Sequence, residues 1–587
     1  MISKGPPSRE ITGAEDEPTA DGGPQPTPGA APAADGAGDA RGGVRRVAAR
    51  LTPGLVTALA CVLVFLALVT PNQIDRLTPA VLVRIPVEAL LAVAVLLVLP
   101  ARPRRVVAAV AGVALGLLTV LKILDLGFFK VLGRPFDPVL DWPLLRNALD
   151  FLRSSIGDVD ATIAAAAAVV LAAVIVPLVA LSVLRLDRLV ARRRTAAARV
   201  VPVLATTWVI CALLGAHLVP GVSVASGSAA ALAYDHVLQA RTSVQDQQAF
   251  APDAVADAFR DTPGDELLTA LRGKDVIVTY VESYGRDAVE APEYASQVGA
   301  VLDDGTRRLV AAGFASRSAF LTSSTFGGIS WLAHSTLQSG LWINNQQRYD
   351  KLLASNRTTL SSAFQRAGWQ TVGVMPGVET AWPEGGFYGY NRLYDAPSLG
   401  YRGPTFGFGI MPDQYTLSAF QRLERAAPGH APVMAEIPLV SSHVPWAHIP
   451  ALVDWNAVGD GSVLAPMVND GKETNLVRSN TVEARTDYRR SIEYSLSSLI
   501  SFVETYGNDN LVLVFLGDHQ APVITDPSAS RDVPVTIVAR DRAVMDRIAD
   551  WGWQDGLKPG PQAPVWPMNA FRDRFLTAFG PQPERAG

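Results

Sequence analysis

Apolar residues crowd the first 220 positions of the chain and become sparse after them. They form five stretches, each close to the ~20 residues that a helix needs to cross a bilayer. We place these stretches near 51–70, 80–100, 105–128, 162–184 and 198–219. The pattern predicts an α-helical membrane domain with five spans, covering residues 47–220.

Arginines mark alternate loops between these stretches. They lie in 41–50 before the first, in 102–105 between the second and third, and in 185–199 between the fourth and fifth. Basic loops remain in the cytoplasm, so the N-terminus is predicted to be cytoplasmic and the chain from 221 onward extracytoplasmic. The sequence therefore predicts a multi-pass protein of the cell membrane.

Two polar segments flank the predicted spans. Residues 1–46 are dominated by small, polar and charged residues, Pro and Gly among them, and such a segment cannot bury enough surface to offset its ordering entropy. We expect a disordered cytoplasmic tail there. Residues 221–272 are rich in Ala, Asp and Gln and predict a helical linker.

From residue 273 the pattern changes to short runs of β-branched residues. They predict buried strands at 275–283, 316–324, 370–377, 432–440, 510–518 and 532–540. Helical patterns occur between several of them, at 293–312, 358–367, 413–426 and 486–506. Strands that alternate with helices predict an α/β domain over 273–545, with a mostly parallel sheet between helices.

Two parts of this half lack clear periodicity. Residues 451–485 predict a long surface loop or lid. Residues 546–587 predict a C-terminal extension, and its tryptophans would pack on the domain or contact the bilayer surface.

Composition excludes several classes of function. The net charge is only −4 and no basic patch alternates with aromatic residues, so nucleic acid is not an expected partner. The two cysteines, Cys61 and Cys211, both lie in apolar stretches. This excludes a Cys-rich zinc site and a cysteine nucleophile in the α/β domain.

Metal-binding residues follow two of the predicted strands. Glu282 ends the first strand, and Asp518 and His519 end the strand at 510–518. Ligands of open α/β sheets bind beyond the carboxyl ends of the strands. Two carboxylates and an imidazole at that edge suit one divalent metal ion, with Mn²⁺, Zn²⁺ and Mg²⁺ as the candidates.

A hydroxyl group follows a third strand. The sequence TFGGIS (325–330) places a Gly-Gly turn before a helix that begins near Ser330. A helix N-terminus favours a phosphate dianion, and a metal-bound hydroxyl becomes a nucleophile. Ser330 is thus the candidate nucleophile; it could instead be only a helix cap, and Ser324 and Thr325 are the alternative nucleophiles.

Histidines supply the remaining candidate groups. His443 follows the strand at 432–440, where it would donate to a phosphoryl oxygen or protonate a leaving alkoxide. His334 and His448 fit a functional or a structural role.

These pieces, in this order, resemble the alkaline phosphatase superfamily, and most closely its membrane branch of lipoteichoic acid synthases, phosphoglycerol transferases and phosphoethanolamine transferases. The matching motifs are VES (281–283), GGIS (327–330), YNR (390–392), SSHVP (441–445) and GDH (517–519). The resemblance implies a sulfatase-like fold after five spans.

The resemblance also implies roles for the residues. Glu282, Asp518 and His519 would bind one metal ion, with Mn²⁺ the first expectation, and Ser330 would be both ligand and nucleophile. His443 would contact the substrate.

The YNR motif completes what the resemblance implies about the site. Tyr390 and Arg392 would contact the headgroup of the substrate. The family has Thr or Ser at the nucleophile, with Thr in lipoteichoic acid synthases, and Trp at the first position of the YNR motif. Both departures bear on the substrate more than on the chemistry.

The implied reaction moves a phospho-alcohol headgroup from a membrane phospholipid to a lipid-linked glycan or glycolipid of the cell envelope, through a covalent intermediate. A hydrolase with the same intermediate, and an inactive membrane scaffold, are the alternatives. Sulfate ester hydrolysis is not expected, because Ser330 is followed by WLAH instead of the x-Pro-x-Arg that sulfatases require. A second metal is not expected either, because the chain has only seven histidines.

Overall fold

The computed structural model describes residues 38–219, 222–379, 382–406, 411–446, 449–468 and 482–581. Most of the predicted N-terminal tail therefore lies outside the described residues, as do His448 and part of the predicted loop at 451–485. Residues up to Leu59 form one compact unit and those from Ala60 onward another. The features below belong to the second unit, apart from the start of the first helix.

Six α-helices lie in the described part of the chain between residues 38 and 213. They are α1 (Gly38–Val69), α2 (Val87–Val98), α3 (Ala101–Leu132), α4 (Trp142–Ile156), α5 (Asp158–Arg192) and α6 (Arg194–Leu213). Among the described residues, α3, α5 and α6 are long and apolar enough to cross a membrane. The other two predicted spans correspond to shorter apolar helices, Pro53–Val69 and Val87–Val98.

Helix α2 is shorter than the membrane span predicted at 80–100. Its 12 residues extend for ~18 Å, which is short of the ~30 Å hydrocarbon core of a bilayer. Helices are thus confirmed at all five apolar stretches, and three of them have the length of a span. A topology with five spans stays a prediction.

Helices α3 and α5 pack closely because α3 presents glycines to α5. A Cβ added to Gly112 would lie 2.8 Å from the Cα of Ala180, and one added to Gly116 would lie 2.8 Å from the Cα of Val176. Small residues at such positions let two apolar helices approach each other without a hydrophobic driving force.

The predicted linker contains a helix, α7 (Ser228–Val255). The α/β domain follows with nine strands among the described residues. They are β1 (Asp275–Val281), β2 (Ala315–Thr322), β3 (Gln370–Met375), β4 (Arg392–Asp395), β5 (Val433–Leu439), β6 (Leu511–Gly517), β7 (Asp532–Ala539), β8 (Gln554–Asp555) and β9 (Val565–Pro567). The helices of the domain are α8 (Asp287–Glu290), α9 (Ala295–Ala311), α10 (Ser330–Ser339), α11 (Gln346–Leu353), α12 (Leu360–Arg366), α13 (Asp413–Phe420), α14 (Val482–Tyr506), α15 (Arg542–Asp546) and α16 (Ala570–Phe579).

These strands form one mixed sheet in the order β8-β2-β7-β6-β1-β5-β3-β4, with β9 also paired to β2. The pairs from β6 to β4 are parallel, whereas β7 runs antiparallel to both β6 and β2. Every residue of β1, β6 and β7 is buried, as expected for strands covered on both faces. All six predicted strands are present, and the predicted parallel sheet is interrupted only at β7 and β8.

The C-terminal segment is part of this domain. Strands β8 and β9 pair with β2, and Trp553, Trp566 and Phe571 are buried in the core beneath it. The segment predicted as an extension therefore completes the sheet. Two- and three-residue strands carry no readable period, which explains why the sequence pattern did not predict them.

Candidate metal centre and nucleophile

The two central strands bring Glu282 and Asp518 to the same edge of the sheet. Strands β1 and β6 are parallel neighbours, with Val281 opposite Gly517 at the last pair of the ladder. The residues that follow, Glu282 and Asp518, therefore leave the same edge of the sheet side by side. Both are buried, Asp518 completely.

The backbone near these carboxylates is closely packed. A Cβ added to Gly517 would lie 1.8 Å from the carbonyl oxygen of Tyr284, so no larger residue fits there. Ser283 adopts the left-handed region with φ 58°, which is uncommon for a residue with a side chain. Its N–H donates to Oδ1 of Asp518 at 2.8 Å, and the N–H of His519 donates to the same oxygen at 2.8 Å.

The candidate nucleophile reaches this point from the N-terminus of α10. Gly327 and Ile329 have φ values of 69° and 56°, and this turn places Ser330 as the first helical residue. Left-handed backbone at a β-branched residue is costly and is typical of functional sites. The hydroxyl of Ser330 donates to Oε2 of Glu282 at 3.0 Å and lies 3.1 Å from Nε2 of His519.

Ser330 is consequently not a capping residue, since its side chain points to the acidic cluster and not to the backbone of its own helix. The alternative nucleophiles are held elsewhere. Ser324 accepts a hydrogen bond from Thr336 at 2.8 Å, and Thr325 lies 3.5 Å from the hydroxyl of Ser323. Both are buried, whereas Ser330 is half-buried and accessible to a substrate.

Glu282, Asp518 and His519 form a group that fits a divalent metal ion. One ligand atom of each lies within 4.8 Å of the others. Oδ2 of Asp518 is buried and has no hydrogen-bond partner among the described residues. Nδ1 of His519 donates to the carbonyl of Gln520 at 2.9 Å, and this fixes the tautomer in which Nε2 presents a lone pair to the group.

The charges of the group are strongly coupled. Burial opposes ionisation of Glu282, but the neighbouring His519 outweighs it and holds the pKa of the carboxyl well below its usual range. Burial also opposes ionisation of His519 and by itself would lower its pKa. Asp518 and Glu282 outweigh burial and together raise the pKa of His519 to about 9. In the absence of a metal ion, a proton on His519 therefore compensates part of the negative charge.

His334 is a neighbour whose role the sequence left open. It lies one turn after Ser330 on α10, its ring stacks on Tyr280 with centroids 3.8 Å apart, and its Nε2 is 3.7 Å from Oδ2 of Asp518. That nitrogen is buried without a hydrogen-bond partner among the described residues. The i, i+4 spacing from Ser330 was the available signal for its proximity.

His443 lies at the end of β5, as predicted. Its Nδ1 is 2.6 Å from the carbonyl of Val444, and the ring contributes to the lowered pKa of Glu282. The adjacent Ser442 donates to the carbonyl of Glu282 at 2.6 Å, which connects this loop to the candidate metal centre.

Tyr390 and Arg392 make different contacts. Tyr390 donates to the buried Glu436 at 2.6 Å, and Arg392 pairs with Glu424 at 3.1 Å. Arg392 is the first residue of β4, which is parallel to its neighbour β3, so it lies at the edge where the strands begin. Substrate binding by these two residues stays a prediction.

The end of α3 packs against residues 324–329, the nucleophile loop that leads to Ser330. A Cβ added to Gly327 would lie 1.9 Å from the carbonyl oxygen of Val131, so the loop rests directly on the last turn of that helix. Lys130 donates to the carbonyl of Val523 at 3.0 Å, in the loop that follows His519. The helical domain and the metal centre therefore share a packed boundary.

No protein-family model matches the chain, and no curated protein matches it by sequence. Solved structures do match. They include the lipoteichoic acid synthase LtaP from Listeria monocytogenes, with 14% identity over 58% of this chain and 78% of that chain and a TM-score of 0.36. A protein in the alkaline phosphatase superfamily from Vibrio parahaemolyticus has 14% identity over 57% and 75%, with a TM-score of 0.36.

A third match is the phosphoglycerol transferase GacH from Streptococcus pyogenes in complex with sn-glycerol-1-phosphate, with 13% identity over 57% of this chain and 90% of that chain and a TM-score of 0.33. These are proteins of the fold that the sequence motifs predict. At such identities the likeness concerns the fold alone, and the argument for function rests on the residues of the site.

Proposed function

We propose that the chain is a metal-dependent phosphotransferase that moves a phospho-alcohol headgroup, of the phosphoglycerol type, from a membrane lipid to an acceptor in the cell envelope. The observation that carries this proposal is the contact of Ser330 with both Glu282 and His519 beside a buried, unpartnered oxygen of Asp518. A serine in a purely structural role has no need of such surroundings.

Glu282, Asp518 and His519 would hold the ion, with the hydroxyl of Ser330 as a further ligand. When bound, the ion would supply positive charge that lowers the pKa of the hydroxyl and neutralises charge on a phosphoryl group. Mn²⁺ is our first expectation, with Zn²⁺ or Mg²⁺ as alternatives.

The protein residues would carry the remaining steps. The hydroxyl proton of Ser330 lies toward Oε2 of Glu282, which can accept it. The oxygen of Ser330 then attacks phosphorus, and the bond between phosphorus and the diacylglycerol oxygen breaks. His443 would protonate that leaving oxygen, and the backbone N–H groups in the first turn of α10 would face the negative phosphoryl group.

In a second step the acceptor alcohol would attack the same phosphorus and give its proton to His443. The bond to Ser330 would then break, and the proton held by Glu282 would return to the Ser330 oxygen. A lipid-linked glycan or glycolipid would be the acceptor of the transferase. Water in its place would make the protein a phosphodiesterase, which is the second candidate. The half-buried position of Ser330 admits either acceptor, so the product has to be measured.

The test uses membranes that contain the full-length protein, Mn²⁺, and phospholipid labelled with ³²P in the headgroup phosphate. We expect a labelled protein band with the wild type and with Ser324→Ala, and none with Ser330→Ala. Label on Ser330→Ala would refute the assignment of the nucleophile. Labelled glycolipid after a chase identifies a transferase, and free labelled phospho-alcohol identifies a hydrolase.

A further inference from the structure

A polar cavity of about 280 Å³ lies beside the nucleophile loop. Its walls come from the loop after α3, from α7, and from residues 324–329 of the nucleophile loop. Ile329, the residue before Ser330, is one of its lining residues. The cavity therefore lies at the boundary between the helical domain and the α/β domain.

The carboxylates that line this cavity already have partners. Asp141 forms a two-pronged ion pair with Arg134, with N–O distances of 2.5 and 2.7 Å. Asp137 accepts hydrogen bonds from the backbone and from the hydroxyl of Ser243. Asp246 pairs with Arg348 on α11, with the Nε contact at 2.8 Å.

Arg531 differs from these carboxylates because its charge has no such partner among the described residues. It lines the same cavity, and among the described residues no carboxylate lies within ion-pair distance of it. Its guanidinium donates a long hydrogen bond of 3.4 Å to the carbonyl of Ser324. Burial, and then the nearby Arg134, lower the pKa of Arg531, and an arginine nevertheless remains charged at any physiological pH.

Arg531 is partly buried, and a guanidinium withdrawn from water without a counter-charge is less favourable than one that a ligand neutralises. The surrounding groups fit an anion with several oxygens, because Thr325 and Asn344 add a hydroxyl and an amide to the rim. A guanidinium pairs with phosphate through two parallel hydrogen bonds.

We propose that this cavity is a second phosphate-binding subsite, in which Arg531 is the principal ligand. The inference rests on the proposed function, since it assigns the cavity to a phosphate of one substrate other than the phosphate that Ser330 attacks. That group is either the phosphate of a lipid headgroup or a phosphate of a soluble acceptor.

The test measures binding of inorganic phosphate to the full-length protein in detergent, after treatment with EDTA so that no metal ion occupies the nucleophile site. Titration against matched ionic strength of sodium chloride isolates specific binding. We expect saturable binding by the wild type and by Ser330→Ala, and at least tenfold weaker binding by Arg531→Gln. Arg307→Gln, a variant of an exposed arginine on α9, serves as the matched control and should bind like the wild type.

A second variant leaves Arg531 in place. Asn344 is exposed at the rim, so Asn344→Asp leaves the fold intact while it repels phosphate, and Asn456→Asp is its exposed control. We expect weaker binding for the first and no change for the second. Equal binding by the wild type, Arg531→Gln and Asn344→Asp, or no saturable binding by the wild type, overturns the proposal.

The source of the phosphate is resolved in nanodiscs. If phosphatidylglycerol competes with inorganic phosphate and phosphatidylcholine does not, the subsite binds a lipid headgroup. If neither lipid competes, it binds a soluble phosphate. Failure of the proposed phosphotransfer would show in the labelling of Ser330 and would leave these binding results unchanged, so the two hypotheses fail separately.

Discussion

The raised pKa of His519 makes metal binding depend on pH in a way that can be calculated. His519 carries a proton below a pKa of about 9, and a metal ion binds only the neutral imidazole. Each bound ion must therefore displace this proton. Glu282 has a lowered pKa and is already ionised near neutral pH, so it adds none.

The size of the effect follows from that proton. Below pH 9 the apparent Kd should fall about tenfold for each unit of rising pH, which corresponds to ~1.4 kcal/mol per unit. Between pH 6 and pH 8 we therefore expect affinity for Mn²⁺ to rise about a hundredfold. At pH 7 nearly every His519 is protonated, and binding should release about one proton.

Titration calorimetry of the full-length protein with Mn²⁺, in two buffers of different ionisation enthalpy, measures both quantities. Ser330→Ala should keep the slope, because the proton in question belongs to His519. Asp518→Asn should abolish binding, because it removes the oxygen that no donor satisfies. A Kd that is constant from pH 6 to pH 8, with no proton released, would refute the reasoning.

Three further variants test the packing around the site. Gly327→Ala would place a Cβ 1.9 Å from a carbonyl oxygen at the end of α3, so headgroup transfer should fall at least a hundredfold, whereas Gly386→Ala, in open space, should retain it; comparable rates would contradict the close contact. Asp257→Ala leaves the fully buried Arg572 without the carboxylate 2.9 Å away, and should lower the free energy of unfolding by ~3–5 kcal/mol in chemical denaturation, a loss below 1 kcal/mol being contrary to expectation. Lys130→Met removes the bond to the loop after the metal ligands, so kcat should fall about tenfold while kcat of Lys130→Arg remains close to wild type; an unchanged kcat in both variants would exclude a positioning role.

The central strands and the candidate metal ligands were predictable because their signals are local. A buried parallel strand is a continuous run of β-branched residues, and the residues that follow such strands meet at one edge of the sheet. That reasoning placed Glu282 next to Asp518 and His519 correctly. The Gly-Gly turn also predicted that a helix begins near Ser330, as the structure has it, while the role of Ser330 as nucleophile stays a prediction.

Other features depend on contacts that are remote along the chain. The strand Arg392–Asp395 is too short to show a period, and the contact of Arg392 with Glu424 follows from its position at the edge where parallel strands begin. The proximity of Arg531 to Arg134 joins residues almost 400 positions apart. The local sequence around each of these residues does not predict such a cavity.

The contact between the nucleophile loop and α3 would set the height of Ser330 relative to the bilayer. This helix has 32 residues and extends for ~48 Å, while a bilayer with its headgroups is ~40–45 Å thick. With α3 upright across the membrane, as we propose, its last turn comes level with the outer phosphates. Because Gly327 touches that turn, Ser330 would meet lipid phosphorus at the surface itself, and the donor would reach it by diffusion in two dimensions without leaving the leaflet.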